Sequence, residues 1–317
     1  MHLEESLRIN LCLFRDSNKE IAFIMVSDVK VSVIVPTWND ERRVLLCIDA
    51  LKNQSISKDL FEIIVVDNGS SDNTLKILSS VDGIKLLQEH KVGSYAARNK
   101  GLTLAQGEYV AFTDSDCIPD RKWLEELLKK ADDIKDFGVI AGEITFFKDE
   151  YSNAEPAALN YESFFSMNQK EYAKAGVCIT ANWLSKKNSL LELGKFKDSM
   201  KSGGDHDMAK RLTLAGYMVT FCEDAVVNHP SRNLKEILQK RRRVIGGTWD
   251  SINSRFKVPL MLWQAQKLFI KRTMILTFKK KCTLSKKLSV LKVLFLILIV
   301  SFDEIAKLFA GKSSSRS

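Results

Sequence analysis

The chain is 317 residues long and 45% of its residues are apolar, which suits one large globular domain or two small ones. Its net charge of +9 belongs to the end of the chain. Residues 231–317 carry 20 Lys and Arg against 4 Asp and Glu, whereas the preceding 230 residues carry 28 against 35. A basic tail favours an anionic partner, such as a membrane surface, nucleic acid or a phosphorylated substrate. Six cysteines without a Cys-x-x-Cys pair argue against a zinc site and a disulfide framework, and they indicate a cytosolic setting.

Residues 1–29 form a predicted N-terminal extension rather than a secretory signal. Glu4 and Glu5 occupy the region that a signal peptide would make basic, and the apolar stretch at 21–26 is too short. Met25 precedes the first strong strand by six residues, so we hypothesise that translation begins there. A protein starting at Met25 that failed to fold or lost activity would contradict this hypothesis.

Strands and helices alternate along the chain that follows. Apolar runs bounded by polar turns predict strands at 31–36, 61–66, 84–88, 109–113 and 138–141. Helices are predicted between them at 39–53, capped by Asn39, and at 72–80, 93–105 and 121–132. The less regular residues 142–230 predict further strands at 143–148 and 217–222. This alternation indicates an α/β fold, a Rossmann-like, mainly parallel open sheet flanked by helices.

Two carboxylates one residue apart, Asp114 and Asp116, follow the predicted strand at 109–113. Polar side chains also follow the first two strands: Thr37, Asn39 and Asp67. Ligands of such sheets bind beyond the carboxyl ends of the strands, so one crevice receives all of these groups. Hard oxygen ligands suit Mn²⁺ or Mg²⁺, with substrate phosphates completing the shell. Neither of the usual glycine-rich phosphate loops occurs, so a nucleotide bound here would need a metal ion for its phosphates.

Six short motifs occur in order between residues 31 and 249. They are VIVPTWN at 33–39, IVVDNGSSD at 64–72, ARNKG at 97–101, GEY through DSD at 107–116, GGD at 203–205, and His229. Each motif is weak alone, but the set in this order resembles glycosyltransferase family 2, whose members have the GT-A fold. The resemblance covers about two-thirds of the chain. It implies an inverting transfer of a sugar from a nucleotide-sugar.

The resemblance implies a role for each matching residue. The donor-binding positions are Thr37, Asn39, Asp67, Arg98 and Asp114, with Asp67 accepting a hydrogen bond from a ring N–H of the base. Asp116, together with Asp114 and His229, would bind Mn²⁺ or Mg²⁺ on the diphosphate of a UDP-, GDP- or dTDP-sugar. Asp205 would be the general base that takes the proton from a hydroxyl of a glycan or lipid-linked acceptor.

Two positions depart from the family pattern. The family often has an acidic residue immediately before the base, where this chain has Gly204, so Asp207 is an alternative base. Cys117 stands where the family often has a third acidic residue. Structural roles are the alternative for several residues: a turn for Asp67, a surface ion pair for Arg98, helix caps for Asp205 and Asp207, and a structural histidine at His229.

The C-terminal region, residues 231–317, is predicted to be basic and helical. Residues 231–247 predict a helix that carries four consecutive basic side chains at 240–243. Residues 258–278 mix apolar and basic side chains, which is typical of a helix in a membrane interface beside anionic lipid. The uncharged run at 293–302 is too short to span a bilayer. We therefore expect peripheral attachment to the inner face of the cell membrane, and a helical contact between two copies is the alternative.

The expected organisation is an N-terminal extension at 1–29, a GT-A catalytic domain at 30–230 and a basic helical, membrane-associated region at 231–317. The leading interpretation is a metal-dependent glycosyltransferase of cell-surface polysaccharide or glycolipid synthesis, with an anionic membrane surface and no nucleic acid among its partners. A nucleotidyltransferase shares this type of sheet, but the chain lacks a glycine-rich basic loop after the first strand. The alternative from another class is an inactive transferase-like fold that binds membranes or nucleic acid.

Overall fold

The computed structural model describes residues 29–134, 136–278 and 282–313. Met25 and residues 1–28 of the predicted N-terminal extension lie outside the described residues. The described chain builds an eight-stranded sheet with the order β3-β2-β1-β4-β7-β6-β8-β5. The strands are β1 (Val31–Thr37), β2 (Phe61–Asp67), β3 (Lys85–Gln88), β4 (Tyr109–Phe112), β5 (Ile118–Pro119), β6 (Phe137–Phe147), β7 (Trp183–Lys186) and β8 (Met218–Pro230).

The first four strands form the parallel part of the sheet. β1 lies between β2 and β4 and runs parallel to both, and β3 extends the sheet beyond β2. All residues of β1 and β4 are buried, as expected for strands that helices cover on both faces. Thr37 lies opposite Asp67 at the carboxyl end of the β1–β2 pair. The polar residues that follow these strands therefore emerge at one edge of the sheet.

The other half of the sheet is mixed. β7 is antiparallel to both β4 and β6, β6 is parallel to β8, and β5 is antiparallel to β8. The predicted strands at 138–141 and 143–148 belong to one long strand, β6, whose register against β8 shifts between Gly142 and Glu143. β5 and β7 are missing from the predictions. The α/β class and the flanking helices are confirmed.

Helices cover both faces of the sheet. Up to residue 214 they are α1 (Val44–Lys52), α2 (Thr74–Leu78), α3 (Ser94–Leu104), α4 (Trp123–Asp133), α5 (Pro156–Phe165), α6 (Gln169–Lys174), α7 (Lys187–Glu192) and α8 (Gly204–Leu214). Successive strand residues serve opposite cores: Val33 packs with α1 and α4, and Ile34 packs with α3 and α8. Each such side chain contributes ~1.5–3 kcal/mol by its burial. The sheet is therefore held rigidly between two apolar layers.

The C-terminal extension consists of α9 (Leu234–Ser251), α10 (Lys257–Phe278) and α11 (Leu284–Phe309). These helices pack on one another and on α5 through two apolar clusters that are separate from the cores of the sheet. α9 begins with a capping box between Asn233 and Glu236. Arg242 joins α9 to α11 through ion pairs with Asp303 and Glu304. None of the helices in the described part of the chain combines the length and the sustained apolarity of a membrane span.

Both long helices of the extension keep apolar side chains in solvent. On α10 the exposed positions Trp263, Ile270, Met274 and Phe278 follow helical spacing, with Lys267 among them. On α11 the exposed positions are Leu284, Leu288, Phe295 and Ile299, with Lys292 among them. Each helix thus has a buried stripe that packs and a second, exposed apolar stripe.

Candidate active site

Asp114, Asp116 and His229 meet because a short strand pairing brings distant parts of the chain together. The two aspartates follow β4, and β5 begins two residues after Asp116. β5 pairs with the end of β8, where Ile118 lies opposite Asn228. His229, the next residue of β8, therefore lies beside the aspartates. Ligand atoms of Asp114, Asp116, Cys117 and His229 all lie within 4.8 Å of one another.

The ring of His229 is buried and has a defined hydrogen-bonding arrangement. Its Nδ1 lies 2.7 Å from the carbonyl oxygen of Pro230, which only accepts, so Nδ1 carries the proton. Nε2 therefore holds a free electron pair, toward which Arg232 donates at 3.1 Å. Burial lowers the pKa of His229 and keeps the ring neutral. A neutral imidazole with a free Nε2 is the form that binds metal ions.

Asp116 is ionised and Cys117 is not. Burial alone would raise the pKa of Asp116, but the charges of Arg232 and Arg43 and a hydrogen bond from the Cys117 thiol outweigh burial and hold that pKa below its ordinary value. Nε2 of His229 lies 3.8 Å from the Asp116 carboxylate. Burial raises the pKa of the Cys117 thiol well above its ordinary value, and the thiol lies 3.6 Å from Asp116 Oδ1. Cys117 thus supports Asp116 as a neutral neighbour.

Asp114 is held by a buried arginine of α3. The guanidinium of Arg98 forms an ion pair with Asp114 Oδ1, and it also bonds the carbonyl of Ser94 at 3.3 Å. Cζ of Arg98 lies 5.9 Å from the centre of the Tyr95 ring. Arg98 therefore orients Asp114, whose second carboxylate oxygen accepts no hydrogen bond from the described residues.

Two polar atoms at the β1–β2 end are buried without a hydrogen-bond partner in the described chain, Thr37 Oγ1 and Asp67 Oδ1. The other oxygen of Asp67 accepts from the backbone N–H groups of Gly69 and Ser70, both at 3.1 Å. Such orphaned atoms are rare in proteins and suggest a missing ligand. Neither residue lines the cavity described below, so a ligand reaches them only after local rearrangement.

The sequence predicts that Asn39 caps the first helix. This prediction is wrong, because α1 begins later, at Val44. Asn39 adopts a left-handed conformation, with φ 51°, and its side chain accepts from the backbone N–H of Ser71 at 2.7 Å. It thereby ties the loop after β1 to the loop after β2. Its neighbour Asp40, which the sequence analysis passes over, is buried and accepts from the Ser115 hydroxyl at 2.7 Å. Burial, more than any other influence, raises the pKa of Asp40 to about 6.

The two candidate bases, Asp205 and Asp207, lie in different surroundings on the first turn of α8. Asp207 is engaged by Lys197 at 2.7 Å and by Arg211 at 2.8 Å. These cations outweigh the effect of its partial burial and lower the pKa of Asp207. Asp205 lines the cavity and accepts at Oδ1 from the Tyr95 hydroxyl at 3.3 Å.

Gly204 is required by the contact between α8 and Tyr95. A Cβ at this position would lie 2.7 Å from Cε2 of the Tyr95 ring, which real side chains do not tolerate. The tyrosine ring therefore occupies the space that a side chain at position 204 would need. The glycine at position 204 is visible in the sequence. The reason for it is not, because Tyr95 is 109 residues away.

A cavity of about 880 Å³ lies beyond the carboxyl ends of the strands, and the site residues that line it are Asn39, Arg98, Asp114, Asp116, Asp205 and His229. Its acidic wall includes Asp114, Asp116 and Asp205. Its opposite wall comes from the extension and is basic, with Arg232, Lys240, Arg241, Arg243 and Arg272. The sequence predicts the charge of this segment, but not that it covers the site.

The donor set fits a hard divalent cation. Two carboxylates and a neutral imidazole nitrogen suit Mn²⁺ or Mg²⁺, and the protonated thiol beside them does not compete. Asp114 and Asp116 are each partly accessible, so additional ligands can approach from the cavity.

The chain is similar in sequence to known glycosyltransferases. Residues 32–194 match the family described as Glycosyl transferase family 2. The glycosyltransferase AglE of Haloferax volcanii is 37% identical over 246 residues, 74% of this chain and 79% of the relative. The putative glycosyltransferase EpsH of Bacillus subtilis is 34% identical over 123 residues, 38% of this chain and 35% of the relative.

Two solved structures share the fold at low identity. The mannosyltransferase PcManGT from Pyrobaculum calidifontis, in complex with GDP-Man and Mn²⁺, has a TM-score of 0.51 at 20% identity, over 90% of this chain and 76% of the other. S. aureus TarS 1–349, in complex with UDP-GlcNAc, has a TM-score of 0.52 at 18% identity, over 90% and 93%. The resemblance stated from the motifs is confirmed, and the chain belongs to glycosyltransferase family 2.

Proposed function

We propose that this enzyme transfers a sugar, with inversion, from a nucleotide-diphosphate-sugar to a hydroxyl of a glycan or lipid-linked acceptor. The observation that carries the proposal is the cluster of Asp114, Asp116 and His229, whose ligand atoms lie within 4.8 Å of one another and which shares a cavity with Asp205. Solved structures of the same fold contain GDP-Man with Mn²⁺ or UDP-GlcNAc, which supports a donor of this class.

The three clustered residues would hold Mn²⁺ or Mg²⁺. The cation, when bound, neutralises the negative charge that grows on the leaving diphosphate. The protein's own part is to keep its ligands ready: Arg98 orients Asp114, and Pro230 fixes the His229 tautomer. Arg232 and Lys240 line the same cavity and add positive charge where the diphosphate would lie.

Asp205 is the proposed general base. It takes the proton from the acceptor hydroxyl as the hydroxyl oxygen forms its bond to the anomeric carbon, while the bond from that carbon to the diphosphate oxygen breaks. Attack from the face opposite the leaving group inverts the configuration. Asp205 is separate from the metal ligands and bears no ion pair in the described chain, which suits this role. Asp207, held by two cations, suits it less.

The nucleoside would lie toward the ends of β1 and β2. Thr37 and Asp67 offer the buried polar atoms that have no protein partner, and Asp67 Oδ1 is an acceptor for a ring N–H of the base. Asn39 is exposed beside them and ties the two loops that would close on the nucleoside. Arg98 contributes through Asp114. A UDP-, GDP- or dTDP-sugar meets these requirements equally.

The extension would attach the enzyme to an anionic membrane surface on the inner face of the cell membrane. The support is the pair of exposed apolar stripes on α10 and α11, each with a lysine among its apolar side chains. Trp263 is 58% exposed and Phe278 is 76% exposed, which is unusual for large apolar side chains unless a partner covers them. Vesicles that contain anionic lipid should sediment the protein at low salt, and those of neutral lipid should not.

Donor hydrolysis tests the chemistry. Purified protein is incubated with Mn²⁺ or Mg²⁺ and each of a panel of UDP-, GDP- and dTDP-sugars, and nucleoside diphosphate release is measured for wild type, Asp116→Ala and Asp205→Asn. Metal-dependent release of one nucleoside diphosphate that is lost in Asp116→Ala supports the proposal. If no donor is cleaved and no nucleotide with metal raises the melting temperature, the proposal fails and an inactive binding module becomes the better account.

A further inference from the structure

Two arginines of the extension, Arg241 of α9 and Arg272 of α10, line the cavity without a carboxylate partner in the described chain. Arg241 uses its Nε for the Ser301 hydroxyl at 2.7 Å, and its other N–H groups have no protein acceptor there. Arg272 donates to the Tyr161 hydroxyl at 2.5 Å and lies over the rings of Tyr161 and Phe165. Half-buried guanidiniums of this kind ordinarily need an anion.

The adjacent residue shows the contrast. Arg242 points away from the cavity and is paired with both Asp303 and Glu304. Arg242 thus has two carboxylate partners on α11, whereas Arg241 and Arg272 have none in the described chain. Burial, followed by the repulsion of Arg272, lowers the pKa of Arg241 to about 10. Such a pair destabilises the empty protein and is relieved by a bound anion.

The arginine pair is distinct from the basic residues nearest the metal ligands. Asp114 influences the pKa of Lys240 and of Arg243, whereas the influences on the pKa of Arg241 are its burial, Arg272 and Tyr161. The donor diphosphate is therefore better served by Lys240 and Arg243. Another anion is needed to explain Arg241 and Arg272.

The walls around the pair are apolar. Leu268 and Ile297 line the cavity here, and a small cleft of about 10 Å³ between α9, α10 and α11 continues past both arginines. α10 and α11 are also the helices whose outer stripes are exposed. An anion joined to an apolar chain fits this combination of positive charge and apolar wall.

We propose that Arg241 and Arg272 bind the phosphate of a lipid-linked acceptor, with the start of its apolar chain against Leu268 and Ile297. This inference rests on the proposed function and names the acceptor's chemistry. The acceptor hydroxyl then lies on the Asp205 side of the same cavity. The guanidinium forks match phosphate oxygens through paired, charge-assisted hydrogen bonds.

Binding of dodecyl phosphate to the full chain, below its micelle-forming concentration, tests the site. Dodecanol and inorganic phosphate are the comparison ligands, and tryptophan fluorescence is the readout. We expect dodecyl phosphate to bind at least about tenfold tighter than either comparison ligand. We expect Arg241→Gln and Arg272→Gln to weaken it by about tenfold or more, and Arg241→Lys by less. Arg242→Gln, the matched neighbour outside the cavity, should bind as wild type does.

Three outcomes would overturn the inference: no binding by wild type, equal binding by Arg241→Gln, or inorganic phosphate binding as tightly as dodecyl phosphate. The last would indicate a site for free phosphate. Circular dichroism spectra confirm that each variant is folded. A separate measurement on wild type, stabilisation by UDP or GDP with Mn²⁺, tests the donor site. If neither nucleotide with Mn²⁺ stabilises the protein but dodecyl phosphate binds, the proposed function alone is contradicted.

Discussion

Matched Asp→Asn substitutions separate the two candidate bases, because each removes one charge and almost no volume. We expect Asp205→Asn to lower kcat by ~10²–10⁴-fold, the usual contribution of a general base. The fold should persist, since asparagine keeps an oxygen that accepts from Tyr95 and from the backbone N–H of His206. The melting temperature should therefore change little.

Asp207→Asn should show the opposite pattern, and its magnitude follows from its partners. Lys197 is more than half exposed, so its ion pair contributes ~0.2–1 kcal/mol. Arg211 is more buried, but it keeps its bonds to the carbonyls of Leu193 and Lys195 when the carboxylate is lost. The total loss is about 1–2 kcal/mol, or a few degrees in melting temperature. We expect kcat to stay within about twofold.

The assay is the initial rate of metal-dependent nucleoside diphosphate release at saturating donor, measured from pH 5 to 8 beside thermal unfolding of each variant. The reasoning is refuted if Asp207→Asn loses activity by a hundredfold while Asp205→Asn keeps it.

Three further changes probe the site. Asp67→Asn keeps an oxygen that accepts from the backbone of its loop, but it replaces the unpaired oxygen Oδ1 with an amide donor. Nucleotide binding, measured by calorimetry, should therefore weaken about tenfold or more. Unchanged affinity would exclude Asp67 from the nucleoside site. Gly204→Ala should displace the Tyr95 ring and lower stability by ~1–3 kcal/mol in urea unfolding, whereas Gly247→Ala, whose Cβ meets only an ordinary contact, should not. The folded-state pKa of Asp40, about 6, lies above its ordinary 3.8, so the metal-free protein should lose stability as pH rises from 4 to 6, by up to about 3 kcal/mol. Asp40→Asn should remove this loss of stability with rising pH. If Asp40→Asn is no more stable than wild type at pH 7, the prediction is wrong.

The sequence predicts best where a signal is local. Asp114 and Asp116 follow an apolar run, and the rule that strand ends gather ligands places them at the cavity without further information. His229 is 113 residues beyond Asp116, and only the resemblance to a family connects them in advance. The physical link is the pairing of β5 with β8, which involves two residues on one side and is too short to predict.

The rest depends on tertiary contacts that no spacing encodes. Arg98 is predicted to hold the nucleoside, and its ion pair with Asp114 becomes visible only when α3 packs beside β4. Asp40 lies one residue from Asn39, but its burial decides its chemistry, and burial is a property of the fold. The basic run at 240–243 shows the same limit, since helical geometry turns Arg242 away from the cavity that its neighbours line.

The hydrogen bond from Arg232 to His229 competes with metal binding for one electron pair. Nε2 of His229 accepts from Arg232, and a metal ion would need the same lone pair. A metal ion bound there would therefore release Nη2 of Arg232 beside the place where phosphates would lie, while Nη1 keeps its ion pair with Glu162. Arg232 leads into α9 and is tied to Glu162 of α5, so its displacement is felt in the extension. By thermodynamic reciprocity, a movement of α9 away from the sheet would raise the affinity of His229 Nε2 for a cation.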